Sequence, residues 1–220
     1  MIAGNTYLLN TRALVAEFIG TFFLVLTIGL VVIDPGLPAG FAPIAIAAVL
    51  TAMIYATGYI SGAHFNPAVT LAFFLRHKIV LNDAIAYWIT QLLAAMVAAL
   101  VVGLMKPALP TEALVSSVDA VAVLMAELLF TFALIFVILN VAIAKATVGN
   151  PFYGWAIGLI VLGGIYAVGG ISGAAFNPAV VVGGSIMRIF AWSNIWLYLL
   201  AEFVAGVAVA YTFRFTHPGE

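Results

Sequence analysis

The chain has 220 residues, of which 66% are hydrophobic and 7% charged, and its formal net charge is −1. A water-soluble fold of this length cannot bury so much apolar side chain, so the solvent is a bilayer, and the charge balance gives no reason to expect a nucleic-acid partner. With no cysteine, disulfides and thiol chemistry are excluded.

The opening MIAGNTYLLNTRALVAEF lacks a basic segment ahead of an apolar core and a clear cleavage site. The first hydrophobic segment is therefore read as a retained span. A helix needs about 20 apolar residues to cross roughly 30 Å of hydrocarbon. The first such run is 13–33, closed by the turn residues Asp34-Pro35-Gly36-Leu37-Pro38. The second is 42–60. It is followed by SGAHFNPAV at 61–69 and by an apolar stretch, 67–75, too short to span. Pro67 suits a first helical turn and Asn66 is a favoured N-cap, so this stretch reads as a half-helix. The third run is 83–104, ending before Lys106-Pro107-Ala108-Leu109-Pro110. The fourth is 120–143, followed by Gly149-Asn150-Pro151, and the fifth is 153–170. SGAAFNPAV then occupies 172–180 and opens a second half-helix, 178–187, at Asn177-Pro178. The sixth run is 194–214. The leads Ser61-Gly62-Ala63 and Gly169-Gly170-Ile171-Ser172-Gly173 read as non-helical backbone, which at membrane depth survives only inside protein or along a watery cavity.

The two nonapeptides agree at eight of nine positions, with an offset of 111. AEFIGTF from Ala16 and AELLFTF from Ala126 repeat at nearly the same offset. Each half, approximately 10–105 and 120–215, thus holds three spans and a half-helix within one channel domain, 1–220. Three is odd, so the second half enters from the opposite face as an inverted repeat. The half-helices then meet start to start near the midplane. Their unpaired N–H groups and partial positive charges make an electrostatic hill that a cation or proton must climb. Asn66 and Asn177 add amide donors, and backbone carbonyls of the leads add acceptors. This describes a pore for neutral molecules. Arg12, Arg76, Lys78, Lys145 and Arg214 fall on the side of the termini, against Lys106 and Arg188 on the other. That asymmetry favours cytoplasmic termini in a multi-pass protein of the cell membrane, plasma or inner.

The paired Asn-Pro-Ala motifs, SGAHFNPAVT, AEFIGTFFLV and AELLFTFALI look like the aquaporin and glycerol-facilitator family, over nearly the whole chain. The resemblance implies an all-α membrane fold of six transmembrane helices and two re-entrant half-helices. It also implies a homotetramer with one pore per subunit, and a pore motif of Asn66, Pro67, Ala68, Asn177, Pro178 and Ala179. Glu17 and Glu127, costly inside a span, are expected to support the loops by accepting their N–H groups; a proton or ion site is the other reading. Gln91 is expected to buttress similarly. Glu202 lies 111 positions after Gln91, where the family commonly has proline. It reads as a support of the second loop or as a functional acid. His64 reads as pore lining or as a gate, while His77 and His217 are expected at solvated ends. Val69 lies one turn beyond Asn66 on the pore side.

Most of the family has arginine after the second motif, and here Val180 stands in its place. Counting back from the motifs puts the other filter positions on Ile46, Ile165 and Ala174. The expected constriction is apolar and wide, unless a side chain from 105–119 fills it. The function expected is passive passage of water and/or small uncharged solutes such as glycerol, urea or ammonia. No cofactor, metal or enzyme activity is expected, since no catalytic set, metal cluster or phosphate loop appears. The alternatives are a secondary transporter using the membrane carboxylates, or a structural membrane protein of low flux.

Overall fold

In hydrocarbon every backbone N–H and C=O must find a partner inside the protein, so apolar runs become helices. The structure, a computed structural model, describes residues 10–220 apart from 35, 37, 39, 107 and 117. Residues 1–9, on which the reading of the N-terminus rests, and Pro35, Leu37 and Pro107 of the predicted breaks lie outside the described residues. Among the described residues six helices are long and apolar enough to cross a membrane. They are α1 (Thr11–Val32), α2 (Ala42–Ser61), α4 (Leu81–Met105), α5 (Ala120–Ala142), α6 (Tyr153–Ser172) and α8 (Ile195–Thr216). Two are half as long, α3 (Pro67–Leu75) and α7 (Pro178–Ile186). The face where α1 begins is called proximal below, and the face where it ends distal.

The predicted non-helical leads begin later than expected: Ser61 is the last residue of α2, and Gly169, Gly170, Ile171 and Ser172 form the last turn of α6. Glycine is a weak helix former, but at membrane depth an abandoned backbone hydrogen bond costs more than glycine's lost entropy. Both α2 and α6 stop at a glycine in the left-handed region, Gly62 (φ 87°) and Gly173 (φ 83°), where a side chain is disfavoured.

Within the first half α1 packs on α2 and α4; within the second α5 packs on α6 and α8. The half-helices cross over, α3 lying against α8 and α7 against α4. Each half therefore completes the other's interior. The α3–α8 contact is close: a Cβ on Gly206 would lie 2.8 Å from the Ala68 carbonyl oxygen. Small residues permit such approach between membrane helices, where dispersion and hydrogen bonding hold the packing. On the distal face the segment before α5 pairs with the residues that follow α7. Leu114 N donates to Arg188 O (3.0 Å) and Val115 N to Ile189 O (2.8 Å).

Candidate functional site

The two loops that turn back into the bundle carry strained backbone. Ala63 and Phe65 have φ of 51° and 48°, and Ala174 and Phe176 have 54° and 51°. Left-handed conformations at such residues cost about 1–3 kcal/mol each and persist only where the surroundings hold them. Two buried carboxyls do so. Glu17 Oε1 accepts from Ser61 Oγ (2.7 Å) and His64 N (2.9 Å). Its Oε2 accepts from Phe65 N (2.7 Å) and the Gln91 amide (2.9 Å). Glu127 repeats the pattern: Oε1 accepts from Ser172 Oγ (2.6 Å) and Ala175 N (3.0 Å), and Oε2 from Phe176 N (2.7 Å). Hydrogen bonds to a charged group contribute about 1.5–3 kcal/mol each, enough to offset the strain. This is the geometry of loop support. Glu202 joins it, its Oε1 accepting from Asn177 N at 2.8 Å.

Asn66 caps α3 by accepting from Ala68 N (2.8 Å) and Val69 N (3.4 Å). Asn177 caps α7 by accepting from Ala179 N (2.9 Å). Pro67 and Pro178 occupy the first turns, and Ala68 and Ala179 follow, buried where the half-helices begin. Each asparagine also reaches the other loop. Asn66 Nδ2 donates to Phe176 O and Asn177 Nδ2 to Phe65 O, both at 2.8 Å. The half-helix starts are thus pinned to each other. An amide carries two N–H groups, so each asparagine keeps one beyond the cross-loop bond. Each helix start carries roughly half a positive elementary charge, and here the two face each other.

A cavity of ≈ 310 Å³ runs beside this junction, lined by both asparagines, His64, Val69 and the apolar faces of α1, α2, α5 and α6. All four counted filter positions, Ile46, Ile165, Ala174 and Val180, line it. Among its lining residues none is Lys, Arg, Asp or Glu. Leu114 and Val115 also line it, so the segment between α4 and α5 does contribute side chains, and they are apolar. Arg188, the next basic residue in the chain, is turned away to hold that segment, its Nη1 donating to Pro110 O (3.1 Å) and Thr111 O (2.7 Å). His64 is buried, with Nδ1 3.0 Å from Thr70 Oγ1 and its ring 4.3 Å from that of Phe73. It also lines a second cavity, of ≈ 570 Å³, among proximal residues that include His77, Lys78 and Asp83.

Sequence reasoning passed over Tyr87 and Tyr198. Their hydroxyls donate to the Ser61 and Ser172 carbonyls, at 2.9 and 2.7 Å, and secure the ends of α2 and α6. They too are offset by 111, and a search for polar residues at that offset finds them. Trp88, whose Nε1 donates to Pro67 O (3.0 Å), has Leu199 at the same offset and left no such signal.

The sequence profile of the family described as "Major intrinsic protein" matches residues 5–213. The chain is 34% identical over 215 residues to "Probable aquaporin NIP4-2" of Arabidopsis thaliana, covering 93% of this chain and 74% of that protein. It is also 34% identical over 215 residues to "Nodulin-26" of Glycine max, covering 92% and 77%. Among solved structures it resembles the aquaglyceroporin from Plasmodium falciparum with a TM-score of 0.81, at 24% identity over 93% of this chain and 95% of that one. At that identity the likeness speaks for the fold alone.

Proposed function

The chain belongs to the major intrinsic protein family, and from that membership we propose how its pore selects. It is a multi-pass membrane protein and a passive channel for water or small uncharged solutes. The permeants we assign are small neutral solutes of the glycerol, urea and ammonia class, with modest water flux per pore. The observation that carries this reading is the cavity lined by Ile46, Ile165, Ala174 and Val180 with no charged side chain among its lining residues. An aliphatic ring without a guanidinium is wider and offers permeants no fixed donor. Ions are turned back by the facing starts of α3 and α7 and by the cost of losing water in an apolar passage. Asn66 and Asn177 are the polar stations at mid-pore, and His64 and Val69 line the wall on the proximal side. The whole chain, 1–220, is one channel domain. The proximal face with both termini is cytoplasmic, in a plasma or inner membrane, and the working assembly is a homotetramer.

Light scattering by proteoliposomes, run in parallel for water, glycerol, urea and ammonia, tests the assignment. At least one solute is expected to cross about tenfold faster than in empty vesicles, equal to about 1.4 kcal/mol off the barrier. Water is expected to gain less, and potassium conductance to stay at background. Saturable uptake driven by an ion gradient means a transporter instead, and no gain for any permeant in folded protein defeats the reading.

A further inference from the structure

The two halves differ at a buried position behind the pore loops. Gln91 on α4 and Glu202 on α8 are equivalent, yet one is an amide and the other a carboxyl. In the first half the Gln91 amide nitrogen has two acceptors, Glu17 Oε2 (2.9 Å) and Thr70 Oγ1 (3.1 Å). In the second half the residue equivalent to Thr70 is Val181, which accepts nothing. One acceptor is left, Glu127: its Oε2 takes the Phe176 N–H (2.7 Å) and Glu202 Oε1 takes the next one, that of Asn177 (2.8 Å), so two consecutive backbone donors bring the carboxyls side by side. Glu202 Oε1 already accepts the Asn177 N–H at 2.8 Å. Its Oε2 is buried and has no N–H or O–H donor.

Both carboxyls are 0% exposed. The elements packed on α8 are α3, α5, α7 and the short turn Trp192–Asn194. Of these only α5 faces the pair with a titratable group, Glu127 itself; α3 (PAVTLAFFL), α7 (PAVVVGGSI) and the turn (WSN) carry none. On α8 the neighbour is Tyr198, whose hydroxyl donates to Ser172 O. Helix α5 also meets α6, whose Tyr166 donates to Gly40 O and whose Tyr153 packs on Tyr55, and the turn Lys145–Thr147, whose Lys145 Nζ donates to Gly219 O, so no cation among these groups is turned to the pair.

We propose that Glu127 and Glu202 share one proton, and that Glu202 uses it as the donor that the Gln91 amide provides in the other half, making Glu202 the positioning residue of the second pore loop. Two bare carboxylates in contact without water repel. One proton between them converts that repulsion into a charge-assisted O–H···O bond. Each donor then finds its acceptor: two for the Gln91 amide nitrogen, one for protonated Glu202. Oε2–H donates to Glu127, Oε1 stays free to accept from Asn177, and the backbone bearing Ala174 and Val180 is held from below. The proton belongs to the pair and not to either residue alone. The positioning role rests on the pore reading above; the shared proton does not.

Infrared spectroscopy of the reconstituted protein reads the proton directly. The wild type at neutral pH is expected to show a protonated-carboxyl C=O band that shifts in D2O. Glu202→Gln is expected to abolish it, because Glu127 then meets only uncharged donors, as Glu17 does. Glu17→Gln is expected to retain it. The proposal is overturned by a wild-type spectrum without the band, or by a band undiminished in Glu202→Gln or lost in Glu17→Gln. None of these readouts uses flux, so a failed permeability assay counts against the pore reading alone.

Discussion

At position 180 a valine, 4% exposed, faces the cavity together with Ile46, Ile165 and Ala174. Three effects compete there. Losing the arginine usual in the family removes a hydrogen-bond donor for the permeant, and each buried polar group left unpaired costs about 1–3 kcal/mol. Losing its bulk widens the passage. Losing its charge weakens cation rejection, which then falls to the half-helix starts. Val180→Arg is expected to lower solute permeability by about tenfold, a barrier increase of about 1.4 kcal/mol, and to sharpen rejection of cations. Vesicle assays on the folded variant check both. Unchanged or higher solute flux would remove Val180 from the filter.

The half-helices are the elements on which the two halves depend. Neither α3 nor α7 is long enough to span, and each is buried partly by the other half, α3 by α8 and α7 by α4. Their starts are tied by the paired bonds from Asn66 to Phe176 O and from Asn177 to Phe65 O. A change at the α3–α8 crossing therefore reaches the pore. Gly206→Val puts a β-branched side chain where a Cβ already lies 2.8 Å from a backbone oxygen. Overpacking of this kind costs about 1–3 kcal/mol. Detergent melting is expected to register the loss, and neutral flux to fall with it. Gly103→Ala on α4 serves as control, since its nearest neighbour is a leucine methyl 3.8 Å away.

As a whole the molecule turns large apolar side chains outward, among them Tyr59, Leu104, Val121 and Phe215. For six membrane-length helices that is the expected surface, facing lipid or a neighbouring subunit. The proposed assembly is a homotetramer with one complete pore per chain, because the cavity is lined wholly within one subunit. Native mass measurement in mild detergent is expected to give four copies of the 23.1 kDa chain. Solute flux per chain is expected to be the same in the tetramer and in any folded monomer that retains the fold. A dominant dimer would reject this assembly.

Spans, half-helices and their symmetry were legible because each rests on a local or periodic signal. Hydropathy over one helix length marks a span, Asn-Pro marks a helix start, and an offset of 111 marks equivalence. Counting back from the motifs, on the pattern of the family the chain resembles, led to Ile46, Ile165, Ala174 and Val180, which share one cavity. Local signals failed at Gly169 and Gly170, whose weak propensity was overridden by the need to pair backbone groups away from water. Other features needed the chain brought together. The lining of the cavity by Leu114 and Val115, the diversion of Arg188 to Pro110 and Thr111, and the cross-loop asparagine bonds each join residues dozens of positions apart. The contact between Glu127 and Glu202 is of the same kind. Equivalence by offset told that Glu202 stands where Gln91 stands. Only the packing of α5 on α8 set one buried carboxyl against another, and that contact depends on the distance between helices, which no run of residues encodes by itself.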